Sequence, residues 1–384
     1  MVVSSMKGLT MNRSTAVERL RVAKRPEDVF GVLAGGTVAD RLSALKHSFN
    51  GFLLHVHPDH NPGLLDAGVC VTRLMAFRKE AAHLLETGTY GTVRKAKVDA
   101  VLKSRTGTYK VHEEYRTGEV ADLFLGEDGK GQKCLLKIVR QPSDNDLLDF
   151  EARTLTELHR LTGTKARVFQ KYLPKLYDSF SLVEGGRHRR VNVLDIAEPE
   201  AGYVRKLKEK KGVDAPRDYY SLAEIRDAYP DGIDARDVAW MIRRAFEGVG
   251  WVHEQGFVHG AMLPEHVLVH PLEHGARIVG WSYAVKKGQK LTAISAARKK
   301  MYPPSVLRRE PATAAIDVQM IGECAVFLCS GKNGNVPKEV ALFFDKCRAG
   351  EILDGWSAYH AYNEVLDKSY GKRAYRAFAM PPTA

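Results

Sequence analysis

Cysteine is scarce. The five present (Cys70, Cys134, Cys324, Cys329 and Cys347) are odd in number and show no CxxC spacing. That argues against a disulfide framework and against a zinc site, and it fits a reducing cytoplasm. No apolar run is long enough to cross a bilayer, and the stretch around Phe327-Leu328 falls well short. The N-terminus lacks the order of charge, apolar stretch and small-residue site that marks a signal peptide. Internal repeats and low-complexity tracts are also missing. The expectation is a soluble cytoplasmic protein with no membrane partner.

What remains is ordinary in amount and uneven in placement. With 384 residues, 44% hydrophobic and 27% charged, the chain has room for more than one domain. Its formal charge of +12 has identifiable sources. Residues 1–25 hold six basic side chains and one acid, and residues 89–110 hold six (Arg94, Lys95, Lys97, Lys103, Arg105, Lys110) against Asp99. Between them, residues 26–88 carry five Lys/Arg and seven Asp/Glu, so a slightly acidic module is bracketed by basic flanks. Further clusters are Arg187-His188-Arg189-Arg190, the run from Arg205 to Lys211, Arg298-Lys299-Lys300 and Arg308-Arg309. No nucleic-acid motif or interleaved aromatic pattern accompanies them, so they read as solvated faces and nucleic acid is not expected as a partner.

Inside the acidic module, His57-Pro58-Asp59 stands where one amphipathic pattern stops and another starts. The first opens with Thr37-x-x-Asp40, a capping-box variant, and places Val38, Leu42, Leu45, Phe49, Phe52 or Leu53, and Val56 at spacings of three and four. The second places Cys70, Leu74, Phe77, Ala81 and Leu84 the same way and stops at Gly88. A shorter helix fits Pro26 to Leu33, ended by Gly35-Gly36. Two stripes joined by a short proline-bearing loop predict an antiparallel helical hairpin over one core. Pro58 restricts the backbone at His57, and Asp59 offers a carboxylate to a basic partner. Residues 26–90 thereby resemble the J domain of DnaJ-type co-chaperones. The resemblance implies that His57, Pro58 and Asp59 engage a DnaK-type chaperone, with Arg41 and Lys46 supplying a thin basic face.

From Thr108 the pattern alternates. Tyr109–Tyr115, Val120–Leu125 and Cys134–Val139 predict three strands, divided by Gly118 and by Gly126-Glu127-Asp128-Gly129. Lys137 sits in the third, and a helix with Leu147, Phe150, Leu155 and Leu158 follows, carrying Glu151. Further on, Val238, Ile242, Ala245, Val249 and Val252 form a helical stripe. Phe257-Val258-His259-Gly260-Ala261 comes next, then Pro264-Glu265-His266-Val267-Leu268-Val269, and then Ile278-Val279-Gly280-Trp281-Ser282. This order resembles a protein kinase over residues 108–370. Lys137 and Glu151 stand for its ion pair beside ATP, and His259 for the histidine of its H-R-D motif. Tyr302-Pro303-Pro304-Ser305 resembles its A-P-E segment, and Asp317 the aspartate that braces the catalytic loop.

The departures from that family decide the functional expectation. Ala261 stands at the catalytic aspartate, His266 at the metal-binding asparagine and Gly280 at the DFG aspartate, and the glycine-rich loop is reduced to Gly118 in Tyr115-Arg116-Thr117-Gly118-Glu119. Phosphoryl transfer needs positioned metal ions and a carboxylate that orients the nucleophile. The resemblance therefore implies a pseudokinase with no catalytic residue and no metal. Lys137 and Glu151 can hold a nucleotide or pair across the lobe. The structural pair is the expectation, so no cofactor is required and ATP is the candidate. His266 is expected to be a hydrogen-bonded histidine rather than a ligand.

The resulting expectation is an α+β, multidomain chain. It comprises a basic N-terminal segment (1–25), a helical-hairpin J-like domain (26–90), a basic linker (91–107) and a bilobal protein-kinase-like domain (108–384). Its expected role is that of a co-chaperone or adaptor recruiting a DnaK-type chaperone, with the kinase-like domain holding an unknown client. The alternative is a divergent nucleotide-binding phosphotransferase with a rearranged active site.

Overall fold

The computed structural model describes residues 13–23, 25–31, 33, 37–61, 63, 67–86, 90, 97–184, 187–197, 219–372 and 374–380. The chain divides into two compact units, Met1–Arg94 and Lys95–Ala384.

The smaller unit is helical: α1 (Arg13–Val22), α2 (Pro26–Phe30), α3 (Val38–Val56) and α4 (Ala67–Glu86). Helix α3 begins at a reciprocal cap. The Asp40 amide donates to Thr37 Oγ1 at 3.2 Å, and the Thr37 amide donates to Asp40 Oδ2 at 3.0 Å. Asp thus does the work that Glu or Gln does in the usual capping box. Leu45, Phe49, Phe52 and Val56 of α3 share one buried cluster with Cys70, Leu74, Phe77, Ala81 and Leu84 of α4, so the two predicted stripes do meet. Within the basic N-terminal segment expected at 1–25, residues 13–22 form α1, which buries Ala16 and Leu20 in that same cluster. One expectation needs correction. Helix α2 is shorter than Pro26–Leu33. It stops at Gly31, whose φ of +64° is open to glycine, and Gly35-Gly36 and Gly88 lie outside the described residues.

The larger unit opens on an antiparallel six-stranded sheet, ordered β1-β2-β3-β4-β6-β5. Its strands are β1 (Lys97–Lys103), β2 (Thr108–Thr117), β3 (Ala121–Asp128), β4 (Lys133–Val139), β5 (Leu176–Glu184) and β6 (Arg187–Leu194). Helices α5 (Asn145–Arg160) and α6 (Thr164–Phe169) connect β4 to β5. The linker expected at 91–107 therefore holds an edge strand, with Val101 opposite Lys110 of β2, while 91–96 lie outside the described residues. The turn expected at Gly126 falls later, because Gly126 belongs to β3 and faces both Val111 and Cys134. A Cβ there would lie 2.3 Å from the Lys110 carbonyl oxygen, so the strands approach where only glycine fits. Asp128 makes the real turn, its Oδ1 accepting from the Lys130 and Gln132 amides.

The rest is mostly helical: β7 (Tyr220–Ser221), α7 (Leu222–Ala228), α8 (Ala235–Glu254), β8 (Phe257–Val258), β9 (Val267–His270), β10 (Gly275–Ile278), β11 (Val285–Lys286), α9 (Pro304–Leu307), α10 (Ala315–Cys329), α11 (Lys338–Arg348) and α12 (Gly355–Tyr370). The α8 stripe predicted from Val238 to Val252 is buried throughout, against α10 and α12 residues such as Ile321, Leu328 and Tyr362. Strands β9 and β10 pair as a hairpin, and β8 pairs with β11. The cluster from Arg205 to Lys211 lies outside the described residues. Among the described residues no helix is long and apolar enough to cross a membrane.

Candidate functional site

The larger unit gathers its predicted site residues around β4, α5 and the β8–β9 loop. Lys137 alternates away from the buried Cys134-Leu136-Ile138 face of β4 and meets α5. Its Nζ lies 2.7 Å from Glu151 Oε1 and donates to Ser282 Oγ, also at 2.7 Å. The two charged side chains are only 12% and 2% exposed, so each depends on the other. Removing one partner of such a pair costs about 3–5 kcal/mol, because the remaining charge stays buried.

Asn192, on β6 directly opposite Lys137, completes the arrangement. It donates to Glu151 Oε2 at 3.0 Å and to the Leu148 carbonyl at 2.9 Å, and it accepts from Ser179 Oγ at 2.6 Å. Sequence reasoning missed Asn192 and Ser282. The one signal was a lone amide in the apolar run Val191-Asn192-Val193-Leu194, which the structure buries completely.

The β8–β9 loop is held from below by Asp317 of α10. Asp317 Oδ2 accepts from the His259 amide at 2.7 Å and Oδ1 from the Gly260 amide at 2.8 Å, while His253 of α8 reaches Oδ2 at 3.0 Å. Burial alone would raise the Asp317 pKa, but the hydrogen bond from His253 and those from the loop outweigh it and hold the carboxyl below its usual range. His259 is enclosed, with Nδ1 accepting from the Ala261 amide and Nε2 donating to the Val279 carbonyl at 3.0 Å. Both roles suit a neutral ring, and burial pushes its pKa down to about 4 against the opposing pull of Asp317.

The three substituted positions come together in space. His266 Nδ1 lies 2.8 Å from the Ala261 carbonyl, which fixes the imidazole over Gly280. A Cβ built on Gly280 would meet that ring at 2.6 Å, and Gly280 has φ of +85°. The space into which a Gly280 side chain would project is thus filled by the His266 ring. Burial also lowers the His266 pKa, so the ring is held uncharged. Mg²⁺ demands oxygen ligands in near-octahedral array. Ala261 and Gly280 supply no side-chain donor, and His266 is committed to a carbonyl, so these residues do not fit a kinase-type metal pair. Among the described residues no cluster of three or more His, Cys, Asp or Glu could hold a metal ion.

In the smaller unit, His57 ends α3 and residues 58–60 form a turn. Asn61 secures it, its Nδ2 donating to the Leu54 carbonyl at 3.1 Å and its amide to the His57 carbonyl at 3.0 Å. The Asp59 amide donates to His57 Nδ1 at 3.2 Å, and the Asp59 side chain is 82% exposed. Arg41 and Lys46 are not brought to this loop. At 1.5 Å per residue Arg41 lies about 24 Å and Lys46 about 16 Å up the helix from His57. Arg41 is half-buried, with its Nε enclosed, and Lys46 is exposed.

No family model matches the chain. It is 29% identical to calcium/calmodulin-dependent protein kinase type 1 of Macrobrachium nipponense over 30% of this chain and 34% of that one. It is likewise 29% identical to the Caenorhabditis elegans protein of the same name, over 25% and 28%. The chain thus spans about a third or less of the length of the curated relatives it matches. Among solved structures, vaccinia related kinase 3 superposes with a TM-score of 0.50 at 12% identity, covering 72% of this chain and 93% of that one. The fold is kinase-like.

Proposed function

We propose that the larger unit is a divergent nucleotide-binding domain of kinase shape, with a rearranged site that works without the kinase metal pair. The carrying observation is the enclosed Lys137–Glu151 pair, 2.7 Å apart on a kinase-like fold. The kinase relatives support this class ahead of a co-chaperone role for the chain as a whole. ATP is the candidate ligand, with Lys137 the residue that would meet its phosphates once released from Ser282. Thermal melting of the full chain with ATP, in EDTA and in Mg²⁺, tests it. A ligand bound only by the native state at a hundredfold excess over Kd adds about 2.7 kcal/mol. The expected result is the same upward shift in Tm in both buffers, lost in Lys137→Met. No shift in either buffer would end the nucleotide reading.

Two readings branch from this one. Ala261, His266 and Gly280 favour a pseudokinase that binds and does not transfer, for which the metal-independent shift is the signature. A shift that requires Mg²⁺, together with release of labelled phosphate, would instead favour a working phosphotransferase with other groups in the missing roles.

For the smaller unit we propose a J-like recruiting module, resting on the pinned turn that presents Asp59 beside His57 at the end of a helical hairpin. His57→Gln is expected to abolish stimulation of a DnaK-type ATPase while leaving far-UV circular dichroism unchanged. Equal stimulation by both proteins would rule the module out.

A further inference from the structure

From Gly275 to Arg309 the chain has nine Lys and Arg and no Asp or Glu. The whole chain carries 46 acids among 384 residues, so this depletion is local. The fold then sorts the nine cations into two groups. Arg277 pairs with Asp195, Lys286 with Glu157, Arg298 with Glu265 and Arg308 with Glu310. Lys287, Lys290, Lys299, Lys300 and Arg309 are exposed, and none of them has an ion pair among the described residues.

Backbone bonds gather these five onto one closed loop. The Gly288 amide donates to the Ala312 carbonyl at 2.8 Å, and the Ala312 amide to the Gln289 carbonyl at 2.7 Å, tying the loop at its stem. Lys287 and Lys290 flank that tie from one side. Arg309, held at φ of +58°, approaches it from the other, three residues before Ala312. At the far end Lys299 and Lys300 sit in a 3-10 turn just before α9, a single turn whose Leu307 is 45% exposed. The loop therefore carries exposed cations near its stem and at Lys299-Lys300, together with one exposed apolar side chain, Leu307.

We propose that this loop is a docking surface for an acidic polypeptide segment carrying an apolar anchor. Unpaired cations concentrated on one loop raise the local potential and steer an anionic partner, and the exposed leucine gives it something to bury. Single-stranded nucleic acid fits less well, because bases need exposed aromatic platforms. The loop's one aromatic, Tyr302, is buried, as is Tyr283 just before it. An anionic bilayer would engage a long amphipathic helix, and α9 is four residues. This surface does not depend on the Lys137 site, so it stands or falls apart from the nucleotide reading.

Fluorescence anisotropy of a labelled Glu-Glu-Leu repeat peptide, titrated with the full chain, tests the proposal. K299E/K300E and, separately, K287S/K290S should each weaken binding about tenfold or more, as expected for several lost charge contacts. The pair K130E/K133E, exposed at the β3–β4 turn and the first residue of β4, should leave it unchanged. Equal weakening by all three pairs would reduce the effect to net charge, and no weakening in the loop variants would remove the site. Tighter binding of an RNA oligomer or of phosphatidylserine vesicles than of the peptide would also overturn it.

Discussion

Glu151 shows at a single position what the site holds and what it lacks. Both of its carboxylate oxygens are satisfied, one by Lys137 and the other by Asn192, while Ala261 and Gly280 supply no carboxylate. His259 makes the residue-scale prediction. Its folded pKa of about 4 lies below the ordinary 6.5, and burial is the first cause. A depressed histidine pKa means the fold refuses a proton that the unfolded chain accepts. Its contribution is therefore complete above pH 6.5 and is lost as the pH falls toward 4, reaching on the order of 3 kcal/mol. Urea melts across that window should show a declining midpoint. In His259→Gln, whose amide can still serve Ala261 and Val279, the decline should be shallower; an identical slope would show that His259 is not the group responsible. Little of this was legible in the sequence. Lys137, Glu151 and His259 were found by their place in a family-like order. Asn192, Ser282 and the His266 ring over Gly280 depend on contacts between distant segments that no local pattern announces.

Among elements, legibility followed the size of the buried side chains. Helices α3 and α4 were plain because Leu, Phe and Val recur on one face, and α8 because its stripe from Val238 to Val252 spans about four turns. Helix α1 hid behind arginines, since its buried residues include Ala16, which adds little to an apolar pattern. Strand β1 hid in a basic stretch whose charges masked the alternation of an edge strand. Gly126 was misplaced for a physical reason. Glycine signals both turns and close strand approach, and only the sheet shows which applies. Gly126→Ala is accordingly expected to disrupt β2–β3 pairing rather than a turn. Its Cβ would strike the Lys110 carbonyl oxygen and the Leu136 side chain, and forced overpacking of this kind costs about 1–3 kcal/mol. Gly129→Ala, at the actual turn, has open space around its Cβ, with one atom at 3.8 Å. Urea midpoints should therefore fall in Gly126→Ala and stay near wild type in Gly129→Ala, and the reverse order would contradict the observed register.

For the whole molecule, the two units bury separate clusters. Leu74 is 0% exposed at the centre of the smaller one, among Leu45, Phe49, Phe77 and Ala81. The larger unit closes around α8 and α10. Separate cores predict separate unfolding, since cooperativity extends only as far as shared packing. The sequence supplies a clean probe. All four tryptophans, Trp240, Trp251, Trp281 and Trp356, belong to the larger unit, so intrinsic fluorescence reports on that unit alone while far-UV circular dichroism reports on both. Leu74→Ala should lower the stability of the smaller unit by about 2–5 kcal/mol, the range for truncating a fully buried leucine. The circular-dichroism melt in urea should then show an earlier transition with the amplitude of four helices, while the tryptophan transition keeps its wild-type midpoint. A tryptophan transition that moved with Leu74→Ala would mean that the two units unfold as one and could then not be treated as independent parts.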